Sequence, residues 1–406
     1  MPRHEEEPLE HVVERLINGD DHSRRVFLRR MGAFGLIAGA GSVLSACGGI
    51  AGERTSTLSA GAASSQIARH PRTDVGNLTV SNWPLYIDEK TPKQWERKYH
   101  ASLKYIEDIN DNEEFFAKVR QELQDGRSIG RDIVILTDWM AARWIRSGYL
   151  EPVDRTNVPN AANLQPSLMS PTWDPVRNYT LPWQSGMTGI GYNPKKTGGE
   201  LEGIQDLFDP KFKGRVTFLS EWRDSVSLML LGEGIKPADA TVDDVMAQLD
   251  KLDENAKSGQ IRKFTGNDYA KDLADGNVWA CVAWSGDIVQ LQSDNPDLKF
   301  LIPEAGAGIW SDNMMIPQKA SNPYGAETWM NFYYDPKVAA ELAAYVNYVS
   351  PVVGAKKYAE DIDPGLADNQ LIFPDEETQK RLYPLVDLTG ADEREATARM
   401  QEVAGA

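Results

Sequence analysis

"RDIVILT", residues 131–137, is an apolar run followed at once by "DWMAARWIRSG" (138–148). A strand that is apolar on both faces suits the interior of a parallel sheet covered by helices on either side. The stretch after it carries apolar residues at helical spacing and ends in glycine, which reads as a helix. Strand followed by helix is therefore the unit to look for on both sides.

The same unit recurs upstream. "NLTVSNW" (77–83) and "SLKYIE" (102–107) read as strands, each followed by a helix, "KTPKQWERKYH" (90–100) and "DNEEFFAKVRQELQDG" (111–126). The second helix has acids in its first turn, which suits the positive end of the helix dipole. Downstream, after "NYTLPWQSGMTGIGYN" (178–193), the pattern begins again. "GRVTFL" (214–219) precedes the helix "EWRDSVSLMLLGEG" (221–234), and a second helix over 241–259 has Thr241 as its cap. "VWACVAW" (278–284) and "KFLIP" (299–303) read as strands. The chain then reaches "GIWSDNMMIP" (308–317) and two helices, 326–335 and 337–350, that do not attach to the second group. The class is α/β, and about 330 residues beyond the N-terminal segment suit two lobes better than one core.

In open α/β sheets, ligands bind beyond the carboxyl ends of the strands. The residues there are Trp83 and Tyr86, Thr137 and Trp139, Glu221 and Asp224, and Trp284. Acids and aromatics recur, and cations hardly do, Arg223 aside. Asp312, two places after Trp310 and leading into "NMMIP", poses the sharpest question. A buried carboxylate is costly unless a partner answers it. That partner is either a cation within the protein or one that arrives from outside.

The N-terminus indicates a destination. "SRRVFLRR" (23–30) precedes the apolar run Met31–Ala46, which is short of the ~20 residues that span a bilayer and ends in "LSAC". The pattern resembles a twin-arginine export signal over 1–46 with a lipobox, Cys47 being the residue cut at and lipidated. Residues 47–75 are rich in Gly, Ser, Ala and Thr and read as a flexible tether. The chain has two cysteines; with Cys47 lipidated, Cys281 is left as a small core residue and no disulfide or cysteine metal site is expected. A net charge of −17 argues against nucleic acid and against an electrostatic grip on anionic lipid.

A secreted hydrolase would need a nucleophile and base, and His70 and His100 sit in no strand-end constellation. Paired carboxylates also serve glycan hydrolases, so that class stays open. A sugar receptor stays open too, although it would want amides and arginines among its acids.

The ordered set "SNWPLYI", "RDIVILTDWMAARWIRSGYLEPVD", "YTLPWQSGMTGIGYN", "VAWSGD" and "GIWSDNMMIP", with "NVPNAANLQPSL" and "DPKFKGRVTFL", resembles the periplasmic polyamine-binding receptors of ABC importers over about residues 77–380. The resemblance implies a two-lobed periplasmic-binding-protein-like (type II) fold with a hinge and an interlobe ligand cleft. Lobe one would be 76–187 plus 311–350, lobe two 188–310 plus 351–390, and 391–406 a C-terminal tail. It implies a ligand box of Trp83, Tyr86, Thr137, Trp139, Glu221, Asp224, Trp284, Trp310, Asp312 and Tyr348, with Asp312 as the amine anchor and Tyr348 closing the cleft. It calls for no catalytic residue, cofactor or metal. The implied partners are putrescine or spermidine and a membrane permease, for a monomer held by lipid at the outer face of the cytoplasmic membrane. The chain departs from the pattern at Leu85, where the family often has glutamate, and near Leu385, where it has an amide.

Overall fold

Two long, almost wholly buried strands organise the molecule, whose computed structural model describes residues 69–405. The export-signal and lipidation readings, Cys47 included, lie outside the described residues. In chain order the strands are β1 (Asn77–Asn82), β2 (Ser102–Glu107), β3 (Ile133–Thr137), β4 (Leu150–Glu151), β5 (Thr180–Tyr192) and β6 (Val216–Leu219). They continue with β7 (Ile261–Thr265), β8 (Ala280–Trp284), β9 (Lys299–Leu301), β10 (Ala307–Pro317) and β11 (Leu382–Pro384).

Among the described residues these form one sheet in the order β2-β1-β3-β10-β5-β8-β6-β7, with β4 and β11 on β10 and β9 on β5. Parallel pairing holds within β2-β1-β3 and within β8-β6-β7. The α/β expectation is met, with IVILT of the quoted stretch as a fully buried interior strand. The centre departs from the all-parallel pattern because β5 and β10 pair antiparallel with each other and with their outer neighbours β8 and β3. The stretch 178–193, which the sequence marks only as a boundary, holds the longest strand in the sheet, Thr180–Tyr192.

That central pair fixes where function can sit. β3 and β8 run in opposite senses, so the carboxyl ends of the two parallel halves meet at the middle of the β5–β10 pair. Thr137 ends β3 opposite Asp312, and Trp284 ends β8 opposite Thr188. Between Asp312 and Asn313 the register against β5 slips: Asp312 faces Gln184 but Asn313 faces Pro182. A bulge bends its strand and re-aims the side chain beside it. Pro182 suits such a place because it has no N–H to offer the ladder.

Helices cover both faces. Asp111 caps Asn112–Gln124 by accepting from the Glu113 and Glu114 amides, and Thr241 with Asp244 forms a capping box on Val242–Lys257. Trp95, Trp144, Trp183 and Trp329 are fully buried, and Trp183 lies 4.4 Å from the Tyr333 ring. Tryptophan is thus frequent for two reasons, core filling here and the site described below.

The last residues of the expected tether, 69–75, and the expected C-terminal tail make specific contacts with the body. Within the expected tether, the His70 amide donates to Asp154, its ring Nδ1 lies 2.6 Å from buried Glu327, and Arg72 donates to Asn157. The C-terminal stretch 391–406 contributes to a helix over Gly390–Ala404, with Glu393, Ala396, Met400 and Val403 buried. No helix among the described residues is long and apolar enough to cross a membrane.

Candidate functional site

At the junction of the two halves lies a cleft of about 450 Å³, lined by Trp83, Leu85, Tyr86, Thr137, Glu221, Asp224, Trp284, Trp310, Asp312 and Tyr348, together with Pro84, Asn112, Asn267 and Asp287. Nine of the ten residues named from sequence therefore meet here. All nine are under 9% exposed, so the walls of the cleft are largely withdrawn from solvent.

The rings form one continuous chain. Trp83 meets Trp284 edge-on at 5.7 Å, Trp284 meets Trp310 at 6.1 Å, Trp310 meets Tyr348 at 5.7 Å, and Tyr348 meets Tyr86 at 5.1 Å. Each is held from behind: the Trp83 indole donates to the Ile135 carbonyl, and that of Trp310 to Thr188 Oγ1. Two glycines make room. A Cβ on Gly186 would stand 2.4 Å from the Trp310 ring, and one on Gly286 2.3 Å from the ring of Tyr348.

The acids are placed by donors. Thr137 Oγ1 donates to Asp312 at 2.8 Å. Asn112 donates to Glu221 Oε1 through both its backbone and side-chain nitrogens, each at 2.8 Å. Asp224 Oδ1 accepts from Thr188 Oγ1 and from the Trp284 indole. Asp287 accepts from Asn267, Tyr269 and Tyr348 at 2.6–2.8 Å. The Tyr86 hydroxyl lies close enough to Asp312 to feel its charge.

Among the described residues no lysine, arginine or histidine forms an ion pair with any of these four carboxylates. Their electrostatics record that. Burial pushes Asp312 up to about 7, with the charges of Asp138 and Asp224 adding to it and the Thr137 and Tyr86 hydroxyls opposing. Burial raises Asp224 to about 6, against the pull of its donors and of the Arg223 guanidinium. Burial also raises Asp287 to about 6 against its three donors. Glu221 is raised well above its ordinary value, by burial first and then by the Asp111 and Asp224 carboxylates. An empty box of this kind resists its own ionisation and favours whatever cation enters.

Trp139 is the residue that does not join. Its ring lies 4.0 Å from the Arg223 guanidinium and 5.2 Å from that of Arg143, and it borders a second cavity of about 800 Å³ behind Glu221. Leu85 stands at the cleft in the left-handed region, φ 59°, which a branched side chain seldom adopts. Leu385 packs over Gly308 rather than into the cleft. Sequence reasoning missed Asp287 and Asn112. Asp287 had a signal: it lies in the first turn of the helix that follows β8, within the quoted "VAWSGD". No cluster of three metal-ligating side chains occurs among the described residues.

A curated putrescine/cadaverine-binding protein of Pseudomonas aeruginosa is 30% identical over 356 residues, which cover 83% of this chain and 94% of that one. A putrescine-binding periplasmic protein of the same species is 29% identical, over 79% of this chain and 89% of its own. Among solved structures, an ABC-transporter protein of Listeria monocytogenes superposes with a TM-score of 0.72 at 26% identity, covering 80% of this chain and 98% of that one. Residues 93–370 match the model of the bacterial extracellular solute-binding protein family, and the chain belongs to that family.

Proposed function

We propose that this chain captures a small aliphatic polyamine, putrescine or spermidine, and delivers it to an ABC importer, without catalysis. The observation that carries the reading is Asp312, buried beside an aromatic wall with no ion-pairing cation among the described residues. A polyamine is a methylene chain punctuated by ammonium groups. Carboxylates grip the ammonium groups through charge-assisted hydrogen bonds. Aromatic faces suit the methylenes and attract the charges, at about 0.5–2 kcal/mol per cation–π contact. The names of the Pseudomonas relatives support the same ligand class.

The two lobes we infer are 76–187 plus 311–350 and 188–310 plus 351–390, crossing near Met187 and Ser311 and closing over the ligand by a hinge motion. Those crossings fall in the middle of β5 and β10, where the two halves of the sheet meet. Leu85 supplies no charge to one end of the cleft, so the gap in affinity between putrescine and spermidine is expected to be narrow. Calorimetry across putrescine, spermidine, spermine and a neutral sugar tests the ligand class. An amine should bind with the highest affinity, and the bound sample should scatter X-rays as a more compact particle. A sugar that outcompetes every amine would overturn the reading.

We further infer a monomer held by lipid on Cys47 at the outer face of the cytoplasmic membrane, from the order of twin arginines, apolar run and "LSAC". One acyl anchor with a tether and a soluble body fits that placement. Cys47→Ser should leave the protein exported but uncleaved or released. Recovery of that variant as a mature form in the membrane fraction would refute the lipobox.

A further inference from the structure

The helix Gly390–Ala404 is built onto one half of the molecule and tied by a single side chain to the other. Its Arg399 binds Asp250 and Asp253 of the helix Val242–Lys257 at 2.7–3.0 Å. Its Thr397 accepts from the Trp222 indole at 3.3 Å. All of these partners lie beyond β5, in the half that carries Glu221 and Asp224. Glu393, buried near the start of the same helix, accepts from Arg223 at 2.8 Å in that half. It also accepts from Arg143 at 2.9 Å and Arg146 at 3.4 Å, which lie on the helix Asp138–Ser147 after β3, in the opposite half. Arg223 repeats the crossing, its guanidinium lying 4.3 Å from the Trp222 ring of its own half and 4.0 Å from Trp139 of the other.

We propose that Glu393 is a positioning residue for ligand capture: the C-terminal helix is a latch that holds the cleft closed from behind. The inference rests on the two-lobed reading above. Arg223 sits in sequence between the two cleft acids, Glu221 and Asp224, and its side chain is 1% exposed. Without Glu393 it would be a buried charge with no direct ion-pair partner, which is costly in any conformation. The Glu393–Arg223 pair therefore persists whether the cleft is open or shut. The bonds to Arg143 and Arg146 exist only when the halves approach, so their free energy counts toward the closed state alone. A contact made in one of two states shifts the balance by its differential strength. Arg143 is well suited to the part, because Glu113 grips its other face at 2.7 and 2.8 Å and holds it in place before closure. The placement of Trp139, which the cleft does not use, follows from this: it is the surface against which Arg223 stacks when the halves meet.

The test changes the side of the latch that leaves Arg223 paired. In the full-length chain carrying Cys47→Ser, spin labels at Lys104→Cys and Arg262→Cys, exposed on β2 and β7, report the distance between the two edges of the sheet. Without ligand, Arg143→Gln/Arg146→Gln should lose most of the short-distance population seen in the parent. Arg143→Lys/Arg146→Lys, which keeps the charge but not the planar fork, should restore part of it. With putrescine, dissociation should accelerate roughly fivefold to twentyfold while association changes by less than about twofold. Identical ligand-free distance distributions in parent and Gln variant would overturn the latch, as would a Lys variant no better than the Gln variant. Failure of every amine to bind the parent refutes the ligand proposed above instead, and the ligand-free comparison still judges the latch.

Discussion

Asp312→Asn is expected to weaken putrescine and spermidine binding by at least roughly thirtyfold, because truncating one partner of a buried charge pair costs about 2–5 kcal/mol. The substitution keeps the shape of the side chain, and its oxygen can still accept from Thr137 Oγ1. What it removes is the charge that offsets desolvation of an ammonium in a closed cleft. The ligand-free protein should be unharmed or more stable, since an unpaired buried carboxylate is a burden when no cation is present. That gain should depend on pH. Asp312 titrates near 7 in the empty cleft, so at pH 8 it is charged and the Asn variant is relieved of the charge. At pH 5 Asp312 is already protonated and the two proteins should melt alike. An internal salt bridge would give the reverse pattern: a lower melting temperature for the ligand-free variant and nearly intact polyamine affinity. Paired calorimetry and thermal melts on one variant separate the two.

Much of this site was legible because its parts are strand ends. A buried strand such as RDIVILT announces itself by composition, and the residue at its end must face the cleft wherever the strand belongs to the sheet. Thr137 and Trp284 were found that way, whereas Trp310 and Asp312 lie within β10 and stood out as an aromatic and an acid leading into an apolar run. Trp139 was misplaced by the same rule. It lies in the first turn of a helix rather than on the strand, and two residues of helix are enough to swing a side chain off the rim. Asp287 was missed for the mirror reason, since its helix swings it back into the cleft and the list stopped at Trp284. β5 escaped notice because it mixes Pro, Gln, Ser and Gly with its apolar residues. It has no alternation to read, being buried on both faces at the junction of the two halves. The C-terminal helix escaped because its buried face is built from Ala, Met, Val and one glutamate, a stripe too weak to stand out in a charged stretch. Its role depends on three arginines more than a hundred residues away, and no local pattern carries such a relation.

The affinity for a polyamine should rise by about a hundredfold between pH 5.5 and 7.5, and the sign follows from the acids themselves. In the empty cleft Asp312 is raised to about 7 and Asp224 to about 6, chiefly by burial. An aliphatic ammonium, with a pKa near 10, stays charged throughout. Binding it requires the carboxylates to be ionised, so in this window capture must expel protons. At pH 5.5 a group of pKa 7 is ionised only about 3% of the time, a penalty of roughly thirtyfold, and a group of pKa 6 adds about fourfold. Calorimetry in buffers of different ionisation enthalpy should therefore find about one proton released per ligand near pH 6.5, and appreciably fewer for Asp312→Asn. Stability of the ligand-free protein must run the opposite way. A carboxyl whose folded pKa lies above its unfolded value binds more protons when folded. Its folded state is then penalised progressively as pH rises from about 4 to 7. The ligand-free melting temperature should accordingly carry a falling contribution from these groups toward pH 8, and saturating putrescine should abolish it by supplying the missing counter-charge. Binding that is flat from pH 5.5 to 7.5, with no proton release, would mean the cleft acids are already ionised when empty. In that case a cation of the protein's own would have to be answering Asp312.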